Sequence, residues 1–295
     1  MSKKKKIIVF LEIVMLILAT NSFNIVIKSE SKSLARINIP LKRIYPSRDY
    51  IIHKPIIVKN DKNLTDYGFP GSGAPDDPYR IEGFNITGYK CGISISNTTK
   101  YILIQDCYIK GATGGGIIIS HVSAGTVTVA NNIVRDSISI GIDVDYSPRT
   151  VIVNNTCLVL GYGIGVGWFS NGTIIANNYC YKNGIESIGV GSSNDVIIAN
   201  NTVTTSYSFD ALTGIYCGFS ENITIKGNFV SNQTLYGGIS ISDVKNAKIV
   251  NNACIDNLED NIFIYECEDI VVANNTSMHT KWSGNDLLGL SLIHI

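Results

Sequence analysis

The chain has 295 residues, in which 24 lysine and arginine residues are balanced by 24 aspartate and glutamate residues. This balance creates no overall field that attracts nucleic acid or anionic lipid, so a nucleic-acid-binding role is disfavoured. Charged residues make up only 16% of the chain, and Gly, Asn, Ser, Thr and Ile are abundant. Such a composition is typical of short strands joined by tight turns, and it predicts little helix.

The N-terminal segment has the pattern of an export signal. Lys3–Lys6 form a basic cluster, and residues 7–19 are apolar apart from Glu12, which matches the first two regions of a secretory signal. No small-x-small cleavage pattern follows, so residues 1–28 are either a cleaved signal peptide or a retained signal anchor. Both alternatives predict an extracellular or cell-surface protein that meets the membrane only through this segment. Residues 29–78 are predicted to be a linker and an N-terminal lead-in, in which residues 51–59 supply an edge strand over the first coil.

Two short motifs alternate along residues 79–280. The first, Gly-Ile-x-Ile, recurs in steps of about 24 residues, a period typical of stacked solenoid repeats. Half a step later follows a second motif, Ile-x-x-Asn-Asn or a close variant. The first isoleucine of the first motif is Ile93, Ile117, Ile142, Ile164, Ile188, Ile215, Ile239 and Ile262.

Each repeat is predicted to be one coil of three short strands. In the first strand, the second and fourth positions are apolar in every coil, which is the period-2 pattern of one buried face. A single coil could not bury this face alone, so stability has to come from the coils on either side. Eight coils stacked as parallel strands would form a rod about 40 Å long.

The second Asn of the second motif is predicted to be structural. A sharp corner needs a residue in the left-handed region, which Asn tolerates, and stacked Asn amides can bond to one another. The predicted ladder is Asn132, Asn155, Asn178, Asn201, Asn228, Asn252 and Asn275.

Four of the seven cysteines fall at inward positions of the predicted coils: Cys157, Cys180, Cys217 and Cys254. We expect them to be small apolar residues of the core. A bridge between Cys157 and Cys180 on adjacent coils is the alternative, which parallel Cβ vectors disfavour.

The alternation of the two motifs resembles the repeats of the pectin lyase-like superfamily, especially NosD-like and archaeal right-handed β-helix proteins. Residues 69–83, Phe-Pro-Gly-Ser-Gly through Asp-Asp-Pro-Tyr-Arg-Ile-Glu-Gly, are similar to the segment that opens the first coil in archaeal members. The resemblance implies an all-β fold, a right-handed parallel β-helix. It leaves the function open, because members include polysaccharide lyases, hydrolases, epimerases and surface proteins without catalytic activity.

No cofactor is expected. The NosD label implies copper, but copper sites use His, Met and exposed Cys, and the repeat region and lead-in hold few of these beyond His53, His121 and His279. A Ca²⁺ site formed by Asp76, Asp77 and Glu82 is the alternative, since hard oxygen ligands cluster there. Asp before Pro in a Gly-rich stretch is more typical of turn chemistry, so we predict no metal site.

The outward positions of the first strand supply the functional prediction. Two coils with only glycine at these positions lie between a coil with paired carboxylates and coils with aromatic residues. Such a surface suits a sugar chain, because pyranose rings stack on aromatic rings and their hydroxyls bond to carboxylates. The predicted ligand-binding residues are Trp168, Tyr216, Phe219, Phe263 and Tyr265.

Asp143 and Asp145 are the candidate catalytic residues. They would project from one face about 6.5 Å apart, near the spacing of an inverting glycosidase pair. Three function classes stay open: a non-catalytic carbohydrate-binding or adhesion module, which we favour; a glycoside hydrolase or polysaccharide lyase; and a structural envelope protein. The expected partner is a polysaccharide or a glycoprotein glycan.

Residues 281–295 are predicted to be a truncated end. Leu290–Ile295 read as the translation of a sequencing adapter, so we expect the natural chain to continue beyond Gly289.

Overall fold

The computed structural model describes residues 49–205, 213–234, 237–278 and 290–293. The chain divides into two compact units, Met1–Arg48 and Asp49–Ile295, and every described residue belongs to the second. The predicted signal segment, residues 1–28, lies outside the described residues, as do most of residues 281–295.

The second unit is an all-β, right-handed parallel solenoid of about eight turns, as predicted. Its described part contains one helix, α1 (Asp61–Tyr67), and 27 strands, β1–β27. The strands stack coil upon coil into three faces, numbered here in the order in which the chain visits them.

The first face carries the Gly-Ile-x-Ile motif. Its strands are β2 (Ile56–Val58), β5 (Ile93–Ser96), β8 (Gly115–Ser120), β11 (Ile140–Asp145), β14 (Tyr162–Gly167), β17 (Glu186–Gly191), the first parts of β20 (Thr213–Lys226) and β22 (Ile239–Val250), β24 (Ile262–Tyr265) and β27 (Leu290–Ile293).

The second face begins each Asn motif. Its strands are β3 (Tyr79–Glu82), β6 (Ile102–Gln105), β9 (Val127–Ala130), β12 (Val151–Val153), β15 (Ile174–Ala176), β18 (Ile197–Ala199), the second parts of β20 and β22, and β25 (Val271–Ala273).

The third face follows the Asn corner. Its strands are β1 (Ile51–Ile52), β4 (Phe84–Thr87), β7 (Tyr108–Lys110), β10 (Ile133–Arg135), β13 (Thr156–Leu158), β16 (Tyr179–Tyr181), β19 (Thr202–Thr204), β21 (Phe229–Ser231), β23 (Ala253–Ile255) and β26 (Thr276–Met278).

The repeats stack in register, so equivalent residues of successive coils are neighbours. Ile142 pairs with Ile117 on one side and with Ile164 on the other, and all three side chains are fully buried. Aligned isoleucines therefore fill the centre of the solenoid, and the alternate residues of each first strand point outward. Strand β27 pairs in the same way with β24; the adapter origin of its residues stays a prediction.

Buried Asn amides join the coils at the corner between the second and third faces. Asn155 Nδ2 donates to Asn178 Oδ1 at 3.1 Å, and the same oxygen accepts the backbone N–H of Asn155 at 2.9 Å. The left-handed residue is the one before each ladder Asn, for example Asn177 with φ 55°. Two adjacent residues thus divide the two roles that the sequence analysis assigned to one. The hydrogen-bonded series runs through Asn132, Asn155, Asn178, Asn201, Asn228, Asn252 and Asn275.

A second, shorter ladder stands at the corner between the first and second faces. Here serine hydroxyls accept the backbone N–H one coil back: Ser170 Oγ accepts from Ser147 at 3.1 Å, and Ser193 Oγ accepts from Ser170 at 3.1 Å. The sequence analysis did not identify these serines. They fix the corner, and therefore fix where the residue just before each serine points.

The cysteines predicted to lie in the core are there. Cys157, Cys180, Cys217 and Cys254 are fully buried, and all are free thiols, although Cys157 and Cys180 pair in register on adjacent coils. Packing therefore accounts for these thiols without a bridge.

The lead-in closes the N-terminal end of the stack. Strand β2, within the predicted edge segment, pairs with β5 in the first face. Helix α1 follows it, capped by the Asn60 side chain, which accepts the N–H of Asn63. Asp61 then accepts hydrogen bonds from the Thr99 N–H at 2.8 Å and from its hydroxyl at 2.6 Å, which ties the helix to the next coil.

Candidate functional site

The outer surface of the first face is a shallow floor in its middle coils. Gly165 and Gly167 stand in register beside Asp143 and Asp145 of the preceding coil. A Cβ at Gly167 would lie 2.8 Å from Asp145 Oδ1, and one at Gly165 would lie 3.5 Å from Asp143 Oδ1. The Asp145 carboxylate therefore leans over Gly167, where an added side chain would push it away, whereas Asp143 would only be in ordinary contact with a side chain at position 165.

The two aspartates titrate differently from free carboxyl groups. Burial, and then the charge of Asp145, raises the pKa of Asp143 from 3.8 to about 6. Burial also raises the pKa of Asp145, while the charge of His121 opposes this rise. Two carboxyl groups with raised pKa values on one surface are an arrangement suited to general acid–base chemistry.

In each coil one residue, or two in the coil of Trp168, follows directly after the first strand, and these residues form a column along the corner. Their backbones adopt the left-handed conformation, which the sharp turn demands. We call this set the corner column: Asn97, His121, Tyr146, Trp168, Phe169, Ser192, Phe219, Asp243 and Glu266.

Five members of the corner column carry rings and are named here the aromatic ridge: His121, Tyr146, Trp168, Phe169 and Phe219. The rings of His121 and Tyr146 stack at 4.6 Å with an interplanar angle of 21°. Those of Tyr146 and Trp168 lie 6.4 Å apart and nearly parallel, at 11°. Trp168, Phe169 and Phe219 are 57%, 62% and 66% exposed, so the ridge is an apolar, ring-lined edge open to solvent.

The coil at Trp168 contains one residue more than its neighbours at this corner. One residue separates the strand end from the ladder serine at Tyr146 and at Phe219, whereas both Trp168 and Phe169 stand between Gly167 and Ser170. Both have positive φ, 46° and 61°. This one-residue bulge turns two aromatic side chains outward at the same point.

The other predicted binding residues lie on the later coils of the first face. The Tyr216 hydroxyl bonds to Ser242 Oγ at 2.8 Å, and the rings of Phe263 and Tyr265 stack at 6.4 Å and 7°. Trp168 and Phe219 belong to the aromatic ridge, at one edge of the floor. The other three of the five predicted binding residues lie on the floor itself.

A cavity of about 260 Å³ opens on the same face, near the start of its strands. We call it the acidic cavity; it is lined by Glu186, Thr213, Tyr216, Ser240, Glu259, Asp260 and Phe263. Its three carboxylates are not apparent from the sequence, because Glu259 and Asp260 precede the repeated motif and line the same cavity as Glu186 only when the coils stack. His121, Tyr146 and Phe169 were also missed, although the offset of Trp168 and Phe219 from the motif could have identified the first two.

Two of the acidic residues considered as Ca²⁺ ligands, Asp77 and Glu82, are hydrogen-bonded to other residues of the protein. Asp77 accepts the Ser72 N–H at 2.9 Å and pairs with Arg80 at 3.3 Å, while Glu82 bonds to Gln105 at 2.6 Å. Within the described ranges, no group of three or more His, Cys, Asp or Glu side chains is arranged to hold a metal ion. The same part of the chain has no helix long and apolar enough to cross a membrane.

Stacked parallel coils with Asn corners define the class of protein, a right-handed β-solenoid. Two overlapping matches to the family described as right handed beta helix region cover residues 71–209 and 162–291. These matches span well over half of the chain, which therefore belongs to this family. No curated protein sequence matches it.

Solved structures resemble the chain at low sequence identity. The enzymatically active domain of bacteriophage CBA120 tailspike protein 2 superposes with a TM-score of 0.55 and 11% identity, over 77% of this chain and 37% of that one. The A-module of Azotobacter vinelandii mannuronan C-5 epimerase AlgE6 has a TM-score of 0.39 and 14% identity, over 72% and 61%. The periplasmic alginate epimerase AlgG has a TM-score of 0.39 and 11% identity, over 76% and 84%. The chain thus spans less than two thirds of the first two.

Proposed function

We propose that the first face and the aromatic ridge bind a polysaccharide chain, as a carbohydrate-binding or adhesion surface outside the cell. The observation that carries this proposal is the outward-facing pair Trp168 and Phe169. A left-handed backbone costs an ordinary residue about 1–2 kcal/mol. Because these rings are exposed, the burial of their surface offsets little of that cost. At the Asn corner the same conformation is taken by Asn, Asp or Gly. A ligand that covers the rings would account for aromatic residues at this corner.

The spacing of the ridge suits a linear polymer. Parallel coils are about 4.8 Å apart, so the three consecutive coils of His121, Tyr146 and Trp168 present rings at regular intervals. Phe219 follows after one coil that carries Ser192 instead. Sugar rings have apolar faces that stack on aromatic side chains. A chain laid along the ridge would also reach the Asp143 and Asp145 carboxylates on the adjoining floor, where sugar hydroxyls can donate hydrogen bonds.

Binding is tested with the full-length protein on a panel of immobilised polysaccharides. Trp168→Ala should reduce retention at least ten-fold on the polysaccharide that wild type binds, and Tyr146→Ala should also weaken it, because each removes a stacking surface. Tyr89→Ala is the matched control, since Tyr89 and Tyr146 are 41% and 40% exposed but Tyr89 lies outside the ridge. Equal retention by the Trp168→Ala and Tyr89→Ala proteins would contradict the proposal.

A second candidate function, glycoside hydrolysis, is favoured by the raised pKa of Asp143. A protonated Asp143 could donate to the glycosidic oxygen as the bond to the sugar carbon breaks, while Asp145 takes a proton from the attacking water. Product release, followed by mass spectrometry, should then fall as the pH rises through about 6. Asp143→Asn should abolish it, whereas Asp136→Asn, a control on the third-face side, should not. An absence of products from a polysaccharide that binds would leave the non-catalytic proposal alone.

A further inference from the structure

The acidic cavity differs from the rest of the first face in charge. Among the described residues that line it, three are acidic and none is basic. Its walls also include the rings of Tyr216 and Phe263 and the hydroxyl groups of Thr213 and Ser240. A concave site with two aromatic walls and a few polar groups is the form of a small-ligand site, and its charge selects a cationic group.

The glycine at position 189 allows Glu186 to lie across the cavity floor. A Cβ at Gly189 would stand 2.3 Å from Glu186 Oε2, so the carboxylate occupies the space that any other residue would fill. The position of the Tyr216 ring depends on a glycine in the same way, because a Cβ at Gly218 would lie 2.4 Å from the Tyr216 hydroxyl. The hydrogen bond from Tyr216 to Ser242 at 2.8 Å then holds this ring in place.

The opposite edge of the same coils is acidic as well. After Phe219 the corner column changes from rings to carboxylates, Asp243 and Glu266. A second cavity of about 450 Å³ lies there, and its lining includes these two residues together with Glu221 and Glu268. Its one basic lining residue, Lys245, is 3.5 Å from Glu268. The later coils of the first face are therefore negatively charged at both edges, as a positively charged polymer would require.

We propose that the acidic cavity binds the ammonium group of an amino sugar within the polysaccharide. This inference rests on the proposed function and names the class of its ligand, a polysaccharide with free amino groups. Glu186 receives the ammonium ion, while Glu259 and Asp260 line the same cavity three coils further along. Tyr216, on the coil next to Glu186, adds cation–π attraction, and Phe263, two coils beyond Tyr216, adds a stacking surface for the sugar chain.

The titration of the cavity supports this assignment. Burial raises the pKa of Glu186 from 4.5 to about 7. Burial also raises the pKa of Asp260, and burial followed by the charge of Asp260 raises that of Glu259. The pKa of a carboxyl group rises in this way when burial removes its water and no nearby cation compensates for that loss. An ammonium ligand would supply that cation, and it would favour the ionised carboxylates.

Two oligosaccharides with the same backbone test the inference on the full-length protein. Deacetylated chitosan hexamer carries free amines, and fully N-acetylated chitin hexamer carries neutral amides at the same positions. We expect the chitosan hexamer to bind at least ten-fold more tightly by titration calorimetry. Glu186→Gln should remove this preference by lowering the affinity for the chitosan hexamer at least ten-fold, because the substitution removes the negative charge that the ammonium group pairs with.

Two glycine substitutions test whether the position of the Glu186 carboxylate matters, without changing its charge. Gly189→Ala should reduce the preference for the amine, since the new methyl group displaces Glu186. Gly191→Ala, on the same strand, should keep the preference, because its Cβ would meet nothing within 4 Å. Equal effects of the two substitutions would overturn the assignment of Glu186.

The outcomes distinguish the inference from the proposed function. Equal affinity for the two hexamers, lost in Trp168→Ala, would overturn the amino-sugar site and leave polysaccharide binding in place. A preference for chitosan that survives Glu186→Gln would also overturn the site, since it would reflect general charge attraction. Failure to bind either hexamer or any polysaccharide on the panel would overturn both proposals.

Discussion

Single left-handed residues shape both the scaffold and the candidate site. At the Asn corner the position is filled by residues such as Asn154 and Asn177, whose short amides tolerate it. At the other corner, Tyr146, Trp168 and Phe219 adopt the same conformation. The left-handed conformation thus stabilises the fold at the Asn corner, whereas at the corner after the first strand it directs side chains towards solvent.

The Asn pair of each coil predicts two different mutational effects. Asn178→Ala removes the acceptor for two donors of Asn155 and the donor to the Ile152 carbonyl. Each buried group left without a partner costs about 1–3 kcal/mol, so the free energy of unfolding in urea should fall by about 3 kcal/mol or more. Asn177→Gly should change it by less than about 1 kcal/mol, because glycine readily takes a positive φ. Similar losses in both variants would contradict this division of roles.

At the scale of elements, the strands are short and depend on their neighbours, and the first described coil has a neighbour on only one side. Helix α1 and strand β2 protect that end, and Asp61 connects the helix to Thr99 through two hydrogen bonds. A seven-residue helix is too short to be stable alone. Its persistence therefore depends on this docking contact and on the burial of Leu64.

Removing the docking contact should expose the end of the rod. We expect Asp61→Ala to lower the local stability of α1 and β2 by about 1–2 kcal/mol, seen as faster amide hydrogen exchange in these elements. Lys62→Ala on the same helix breaks only an exposed ion pair with Asp66, which solvent screens, so exchange in β2 should stay at the wild-type rate. If β2 exchanges at the wild-type rate in Asp61→Ala, the helix does not protect this end.

At the scale of the molecule, each coil contacts only the coils beside it, so stability is a sum of neighbour interactions. Ile188→Ala removes a fully buried side chain that lies between Ile164 and Ile215. It should cost about 2–5 kcal/mol and increase hydrogen exchange mainly in β14, β17 and β20. Ile174→Ala, at a position 37% exposed, should have little effect. Uniform loss of protection as far as β5 would show that the rod unfolds as one cooperative unit.

The fold could be predicted from the sequence because every coil repeats the same short pattern of residues. Alternating isoleucines define a buried face within a few residues, and the recurrence of the motif aligns Ile142 with Ile117 and Ile164. The paired asparagines marked the corners for the same reason. The candidate pair Asp143 and Asp145 and the ring of Trp168 could likewise be found from their place in a single repeat.

Only the tertiary structure revealed the aromatic ridge as one edge of the first face and the acidic cavity as a site. Tyr146 and Phe219 belong to coils far apart in sequence, and Glu186 and Asp260 line one cavity although two coils lie between theirs. The space for Glu186 depends on the missing side chain of Gly189, which no pattern of polar and apolar residues records. Local periodicity therefore determined the solenoid, whereas the stacking of its coils decided which side chains share a surface, because a site of this kind is assembled across coils.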